Sequence, residues 1–306
     1  MIALKAGDWR ATLAPELGGS VLSLDWRGQP VFRPTPEGAS DILETACFPL
    51  VPYANRIADG RFVFEGSSVH LPVLDRFAPH AIHGEGWLRS WTVESQSADT
   101  VVMALAWPGG PDGWPWPWFA RQSVSLSSEG LQIGLSITNT GEDTMPAGLG
   151  LHPYLQRYPD SRLTLPAEAV WMTDARQIPE RLAPAAEVVD WSDGVDLADA
   201  PFVDHAYAGW SGKATLNGGG RCVTLTADAA ARWSQVYMPV EADFCCVEPV
   251  THRPDAHNAP PGEDHGLVRL EPGETGSLTM TITAAGLSCA KLTIASTEAG
   301  GRISRA

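Results

Sequence analysis

The chain has 306 residues, of which 44% are hydrophobic and 19% are charged, and its formal net charge at pH 7 is −15. This composition indicates a globular protein with a large core. The negative charge disfavours binding to nucleic acid or to anionic membranes. No apolar run approaches the ~20 residues that span a bilayer, and the N-terminal residues show no signal-peptide pattern. We therefore expect a cytoplasmic protein without nucleic-acid or membrane partners.

Alternation of apolar with polar residues is the main structural signal along the chain. It is clear at residues 22–26, 131–137 and 278–282, and each run is bounded by Gly, Pro, Asp or Asn. Such runs are typical of the strands of a sandwich or barrel, and no amphipathic helix of ten or more residues is evident. The pattern predicts an all-β fold class. We expect a single domain over residues 1–286 and a partly flexible C-terminal extension over residues 287–306.

Asn55, Arg56, His80 and His83 lie in two segments rich in hydrogen-bonding side chains. Asn55 and Arg56 offer several donors in a fixed geometry, which suits recognition of neighbouring hydroxyl groups. His80 and His83 are three residues apart, so in an extended segment they point to opposite faces and do not converge on a metal. His83 precedes Gly84, a small residue that allows a ligand to approach closely. Both segments are also compatible with ordinary surface loops.

Three further polar residues lie in strand-like runs. His152 precedes Pro153, which marks a strand edge or end and predicts a rim position, where an imidazole can exchange protons near pH 7. Asp204 can accept hydrogen bonds from ligand hydroxyl groups, and Gln235 can both donate and accept them. The tryptophans in residues 114–118 could stack on sugar rings, although most tryptophans fill cores. Each of these residues could equally serve packing or face solvent.

One acidic residue, Glu248, lies in an apolar, strand-like run that begins at Phe244 and precedes a proline-rich segment. Side chains alternate between the faces of an extended chain, so Glu248 shares an apolar face with Phe244 and Cys246. Burial raises the pKa of a carboxyl group towards the range in which it can act as a general base near neutral pH. The alternative is an acid at a strand end that faces solvent.

Several common site motifs are absent from the sequence. It contains no Gly-rich phosphate loop, no G-x-S-x-G elbow and no H-E-x-x-H motif. The five cysteines are irregularly spaced and form no C-x-x-C pair, so neither a disulfide framework nor a zinc site is predicted. These absences disfavour nucleotide, serine-hydrolase and zinc-protease chemistry, and we predict no metal ligands.

Taken in order, six of these stretches resemble the aldose 1-epimerase (galactose mutarotase) family. The matches run from about Tyr53 to Asn258, which is most of the chain; each one alone is weak, whereas six in order are specific. The stretches read YANRIADGRF, AIHGEGW, GLHPY, FVDHAY, SQVY and FCCVEPVTHRPDAHN.

The resemblance implies a large antiparallel β-sandwich with a cleft that needs no cofactor. Carried over residue by residue, it implies that Glu248 is the catalytic base and His152 the catalytic acid of anomer interconversion. It implies that five further residues bind sugar hydroxyl groups, namely Asn55, Arg56, His83, Asp204 and Gln235. The sequence departs from the family pattern in two places. Where the family often has Asn-x-x-His-Gly-Gly, this chain has His80 followed by Ala-Ile-His-Gly-Glu85, and where the family often has an aromatic residue after His-Pro-Tyr, this chain has Leu155. Both departures concern the pocket rim and therefore the choice of sugar.

The expected function is interconversion of the α and β anomers of a free aldose, by a monomer or homodimer whose partner is a small-molecule monosaccharide. A hexose-6-phosphate 1-epimerase of the same superfamily is one alternative, but it needs cationic groups that the sequence does not place at the pocket. The arginines considered for that role are Arg76, Arg89, Arg121 and Arg157. A non-catalytic carbohydrate-binding sandwich would not need both Glu248 and His152. A glycoside hydrolase would use two carboxylates, for which Asp204 and Glu248 are the candidates.

Overall fold

The computed structural model of the protein describes residues 1–287. These residues form 26 β-strands and six single-turn 3-10 helices, with no α-helix among them. The strands are β1 (Ile2–Ala6), β2 (Trp9–Ala14), β3 (Ser20–Trp26), β4 (Gln29–Pro30), β5 (Cys47–Leu50), β6 (Arg56–Ile57), β7 (Arg61–Phe64), β8 (Ser67–His70), β9 (Ala81–Ile82), β10 (Thr92–Gln96), β11 (Thr100–Trp107), β12 (Trp118–Leu126), β13 (Gly130–Asn139), β14 (Met145–Ala147), β15 (Gly150–Gln156), β16 (Arg162–Thr164), β17 (Ala169–Thr173), β18 (Pro179–Pro184), β19 (Val195–Asp196), β20 (Val203–Ala208), β21 (Lys213–Gly218), β22 (Arg221–Ala227), β23 (Trp233–Met238), β24 (Phe244–Val250), β25 (Val268–Leu270) and β26 (Thr275–Gly286). The 3-10 helices are Ile42–Glu44, Ala58–Gly60, Asp75–Phe77, Gly86–Leu88, Ala185–Glu187 and Ala256–Asn258.

Two large antiparallel sheets contain most of these strands. The first, which we call the site sheet, has the order β1-β2-β3-β5-β15-β24-β23-β20-β17-β18, with β4 paired to β3. The second, the back sheet, has the order β10-β11-β12-β13-β26-β22-β21-β16-β19. The remaining strands form the separate pairs β6–β9, β7–β8 and β14–β25. The predicted all-β sandwich is confirmed.

The main hydrophobic core lies between the two sheets. Alternate residues of the back sheet, such as Ile133 and Leu135 on β13, are almost fully buried and belong to the same cluster as Leu13 and Leu24 of the site sheet. The alternation predicted at residues 131–137 therefore marks the inner face of β13. Packing of two apolar faces in this way is the usual basis of a β-sandwich.

The outer face of the site sheet, which points away from the back sheet, is also apolar along its strand β24. Cys245 and Val247 belong to the core between the sheets, whereas Cys246 and Val250 belong to a second cluster on the outer face. Glu248 is in phase with this second set and is only 2% exposed. The predicted position of Glu248 on an apolar face is therefore confirmed.

Two further expectations from the sequence concern the C-terminal extension and membrane-spanning segments. The predicted C-terminal extension over residues 287–306 lies outside the described residues except for Leu287. Within residues 1–287, no helix has the length and apolar character required to cross a bilayer.

Candidate active site

A cavity of about 400 Å³ lies on the outer face of the site sheet, over β15, β24, β23 and β20. Loop residues next to the short strands β6 and β9 form part of its wall. All seven residues to which the family resemblance assigns a catalytic or sugar-binding role line this one cavity: Asn55, Arg56, His83, His152, Asp204, Gln235 and Glu248.

The strand register brings His152 and Glu248 together. Because Tyr154 on β15 pairs with Cys246 on β24 in an antiparallel register, His152, two residues back, lies opposite Glu248, two residues on. The distance between His152 Nε2 and Glu248 Oε1 is 3.3 Å. On the other side of β24, Glu248 pairs directly with Gln235 of β23. Three neighbouring strands thus present three polar side chains in one row.

The prediction that His152 lies at a strand edge is wrong. Its strand, β15, lies in the interior of the site sheet between β5 and β24. The ladder between β15 and β24 is interrupted from Gly150 to Tyr154, and this stretch contains Pro153 and faces Pro249, neither of which has a backbone N–H. A proline is tolerated in an interior strand where the regular ladder is open.

Burial controls the protonation of the acid–imidazole pair. Burial raises the pKa of Glu248 well above its usual value; the negative charge of Asp204 adds to the shift, and Arg56 opposes it. Burial lowers the pKa of His152 to about 3, and the positive charge of Arg33 contributes to the lowering. Both shifts favour a neutral carboxyl group beside a neutral imidazole. Transfer of one proton from Glu248 to His152 converts this neutral pair into an ion pair without changing the total charge.

His83 is held as a hydrogen-bond donor to the cavity. Its Nδ1 accepts a hydrogen bond from the backbone N–H of Asn55 at 3.0 Å, so in the neutral ring the proton lies on Nε2. Burial lowers the pKa of His83 well below its usual value, and the nearby His152 and Arg56 add to this effect. Asn55 and His83 both have left-handed backbone conformations, with φ of 60° and 61°, and such strain is commonly retained at ligand sites.

Asp204 is the acceptor at the opposite end of the row. Its carboxylate accepts a hydrogen bond from Gln235 Nε2 at 2.6 Å and one from Gln177 Nε2 at 3.3 Å, and Arg56 Nη2 lies 3.7 Å away. Gln235 Oε1 is buried and has no hydrogen-bond partner among the described residues. An unpaired buried acceptor costs about 1–3 kcal/mol, and a ligand hydroxyl group would supply the missing donor.

Other residues at the cavity give no recognisable sequence signal. Arg33 contributes a second guanidinium group, and none of the four arginines considered for a phosphate lines the cavity. The aromatic side chains in the lining are Phe77, Tyr154, Phe202, Tyr237 and Phe244. His80 lies outside the cavity, where its Nδ1 accepts the backbone N–H of Asp59. The three tryptophans within residues 114–118 do not line it, and Trp114 and Trp118 are fully buried.

Three buried groups could in principle hold a metal ion. One ligand atom each of His152, Cys246 and Glu248 lies within 4.8 Å of the others. Burial raises the pKa of the Cys246 thiol well above its usual value, and the carboxyl group of Glu248 adds to the effect. Because metals bind the thiolate rather than the thiol, a metal at this position would have to displace the proton of Cys246.

Glu85 is a buried carboxyl group and should make the stability of the fold pH-dependent. Burial raises its pKa to about 7, whereas the unfolded chain titrates near 4.5, so the unfolded state loses this proton first as the pH rises. Stability therefore falls between about pH 4.5 and 7 and stays lower above that range. The amide of Glu85→Gln still accepts the backbone N–H of Trp114 but does not titrate. We therefore expect the Tm of this variant, relative to wild type, to rise by about 2–6 °C as the pH increases from 5 to 8. A difference in Tm that does not change over this range contradicts the expectation.

Comparisons with known proteins identify the family of the chain. A family model described as Aldose 1-epimerase matches residues 1–283. The Escherichia coli protein YphB, which is uncharacterized, is 30% identical over 275 residues, which cover 86% of this chain and 92% of YphB. The uncharacterized YihR of the same organism is 27% identical over 293 residues and covers 92% of each chain.

Solved structures show the same architecture. A candidate aldose 1-epimerase from Escherichia coli K12 superposes with a TM-score of 0.84 at 27% identity, covering 93% of this chain and 98% of its own. A galactose mutarotase-like protein from Clostridium acetobutylicum shares the fold with a TM-score of 0.81 at 19% identity, covering 93% of this chain and 95% of its own. A sandwich of this type, matched over nearly its whole length by the family model, places the chain in the aldose 1-epimerase family.

Proposed function

We propose that the protein is a mutarotase, which interconverts the α and β anomers of an aldose by opening and reclosing the sugar ring. The observation that carries this proposal is the buried pair formed by His152 and Glu248, whose reactive atoms are 3.3 Å apart. Ring opening requires a base at the C1 hydroxyl and an acid at the ring oxygen. Both oxygens are bonded to the same carbon, so an acid and a base this close together can address both.

The proton transfers of ring opening bring both side chains of the pair to their neutral forms. Glu248, as a carboxylate, takes the proton of the C1 hydroxyl while His152, as an imidazolium, protonates the ring oxygen and the bond from that oxygen to C1 breaks. Both side chains are then neutral, which is the state that burial favours. Rotation about the C1–C2 bond exposes the other face of the aldehyde, and closure reverses both transfers. Acid–base catalysis of this kind contributes about 10²- to 10⁴-fold to a rate.

The remaining polar residues suit the binding of sugar hydroxyl groups. Arg56 and His83 donate to the cavity, whereas Asp204 and Gln235 Oε1 accept. Asp204 already accepts from two glutamine amides and lies beside Arg56, an environment that suits a fixed acceptor better than the second carboxylate of a glycoside hydrolase. A non-catalytic sugar-binding protein would have no need for the proton-exchanging pair.

Asp204 should therefore affect substrate binding more than chemistry. For Asp204→Ala we expect KM to rise by about 10-fold or more, because the hydroxyl contact is lost and Gln235 loses its acceptor. We expect kcat to fall by a smaller factor, since neither Glu248 nor His152 is changed. Initial rates over a range of sugar concentrations measure both constants. If kcat instead falls by roughly a thousandfold while KM stays unchanged, Asp204 belongs to the chemical step.

Polarimetry on freshly dissolved sugars tests the proposed function. Wild-type protein should accelerate the change in rotation of α-D-glucose or α-D-galactose towards the same equilibrium value that the uncatalysed reaction reaches. It should release no free sugar from aryl glycosides. Hydrolysis of a glycoside without mutarotation would favour the hydrolase, and binding of a sugar without either reaction would favour the non-catalytic sandwich.

A further inference from the structure

On the outer face of the site sheet, three side chains from two neighbouring strands offer metal-binding atoms. His152 of β15 lies opposite Glu248 of β24, and Cys246 precedes Glu248 by two residues on the same face of β24. One ligand atom of each residue lies within 4.8 Å of the other two. Imidazole nitrogen, thiolate sulfur and carboxylate oxygen are the atoms that zinc binds in proteins. Because His152 is far from the other two in the chain, no spacing motif in the sequence indicates this set.

The distances between these atoms suit a tetrahedral ion. Bonds from zinc are about 2.0–2.2 Å to nitrogen and oxygen and about 2.3 Å to sulfur, so the ligand atoms around it are roughly 3.3–3.6 Å apart. His152 Nε2 and Glu248 Oε1 already have this separation, at 3.3 Å. The sulfur of Cys246 is at most 4.8 Å from the other ligand atoms, so a movement of about 1 Å brings it into range.

The charges of the three ligands match those of a buried divalent cation. On binding, the thiol of Cys246 and the carboxyl group of Glu248 each release one proton to solvent, and His152 binds as a neutral imidazole. The two negative ligands cancel the charge of the ion, so the complex adds no net charge to a site whose residues are all buried. His152 Nδ1 has no hydrogen-bond partner among the described residues. The ring can therefore carry its proton on Nδ1 and present Nε2 to the ion.

The cavity gives an ion access to this set. His152 and Glu248 both line the cavity, whereas Cys246 does not line it and is fully buried. The net charge of −15 favours the approach of cations. Three protein ligands leave the fourth position of a tetrahedral ion open, as in zinc sites that bind water or substrate.

We propose that a thiophilic divalent cation of the zinc class binds His152, Cys246 and Glu248 and thereby inhibits anomer exchange. The ion occupies His152 Nε2 and Glu248 Oε1, the atoms to which the proposed mechanism assigns the proton transfers, so neither atom can exchange a proton. The inhibition rests on the proposed mutarotase function, whereas the binding of the ion does not. Magnesium prefers an octahedral set of oxygen ligands and should bind poorly here.

Rates of anomer exchange of D-glucose with Zn²⁺, Cd²⁺ or Mg²⁺ alone test the inhibition. Each rate is compared with that of the same variant without metal, after subtraction of the uncatalysed rate. For wild type, half-inhibition should need at least about 100-fold less Zn²⁺ or Cd²⁺ than Mg²⁺, and a chelator should restore the rate. In Cys246→Ser and Cys246→Ala, half-inhibition should need at least about 100-fold more Zn²⁺, since loss of even an outer hydrogen-bond partner lowers metal affinity by about 10- to 100-fold.

Absorption spectra with Co²⁺ in place of zinc measure binding without reference to activity. Wild type should show a charge-transfer band from thiolate to cobalt, and Cys246→Ser should lack it. Cys222→Ser is the matched control, because Cys222 is a partly exposed thiol on β22 of the back sheet. This control should keep both the band and the wild-type sensitivity to Zn²⁺.

The outcomes distinguish failure of the metal site from failure of the proposed function. Equal sensitivity to Zn²⁺ in wild type and both Cys246 variants, or loss of sensitivity in Cys222→Ser, would overturn the assignment to Cys246. Exchange of glucose that Zn²⁺ does not slow, without a cobalt band, would overturn this inference and leave the mutarotase function standing. A cobalt band that requires Cys246, in a protein that exchanges no aldose, would support the metal site and contradict the mutarotase function.

Discussion

Glu248→Gln should lower kcat for anomer exchange by about 10²- to 10⁴-fold and leave the fold intact. Glutamine has the size of the glutamic acid side chain but cannot take a proton from the C1 hydroxyl. The native site already favours the uncharged carboxyl group, because Glu248 is 2% exposed and burial raises its pKa. A neutral amide should therefore be accommodated, with a Tm equal to or above that of wild type. Polarimetry and thermal unfolding on the same preparation measure the two effects.

An exposed acid on the segment before β24 provides the control for this substitution. Glu241 is exposed and lies outside the cavity lining, so Glu241→Gln makes the same chemical change away from the site. It should retain wild-type kcat. Near-wild-type turnover by a folded Glu248→Gln would remove Glu248 from the role of base, and His152 would then need a different partner.

Gly148→Ala should destabilise the protein by about 3 kcal/mol or more, the upper end of the cost of overpacking a core. A Cβ atom at this position would lie 1.9 Å from Cδ2 of His252, and His252 is 1% exposed. The ring of His252 cannot move freely, because its Nε2 accepts the backbone N–H of Ala54 at 3.0 Å. Ala54 is followed by Asn55, so displacement of His252 also shifts the loop that carries Asn55 and Arg56, which we propose bind sugar hydroxyl groups. We therefore expect lower stability together with a raised KM.

Gly286→Ala is the matched control for this steric effect. Gly286 lies at the end of β26, and a Cβ atom there would meet no heavy atom within 4 Å. This substitution should change the free energy of unfolding by less than about 1 kcal/mol. Denaturant unfolding of both variants measures the difference, and equal stabilities would contradict the steric account of Gly148.

The features that sequence patterns predict well are those set by local alternation. The apolar residues of 131–137 form the inner face of β13 because side-chain direction in a strand has a period of two. The same rule places Glu248 on the outer face of β24 with Cys246. The resemblance to a family then names the polar residues that line the cavity, and the register of β15 and β24 explains why His152 and Glu248 meet.

The features that the sequence does not predict depend on contacts distant along the chain. Pro153 suggests a strand edge, but its strand lies between β5 and β24. These neighbours come from residues about a hundred positions before and after it in the chain. Pro249 of β24 faces the same opening in the ladder. Arg33 belongs to no recognisable motif. Its backbone N–H donates to the carbonyl oxygen of Tyr154, and its side chain donates to those of Leu43 and Thr45, which together place it at the cavity. The tryptophans within residues 114–118 resemble a sugar-stacking cluster in sequence, but Trp114 and Trp118 are fully buried and none of the three lines the cavity.

The most direct test of the proposed chemistry is magnetisation exchange between the α and β anomers at equilibrium, observed by NMR at C1. The measurement needs no pure anomer and serves neutral and anionic aldoses alike. Wild-type protein should give an exchange rate that rises in proportion to protein concentration, whereas Glu248→Gln should leave the rate at the value found in buffer. An exchange rate at the buffer value for folded wild-type protein, with every neutral and anionic aldose tried, would contradict the assignment of this site to mutarotation.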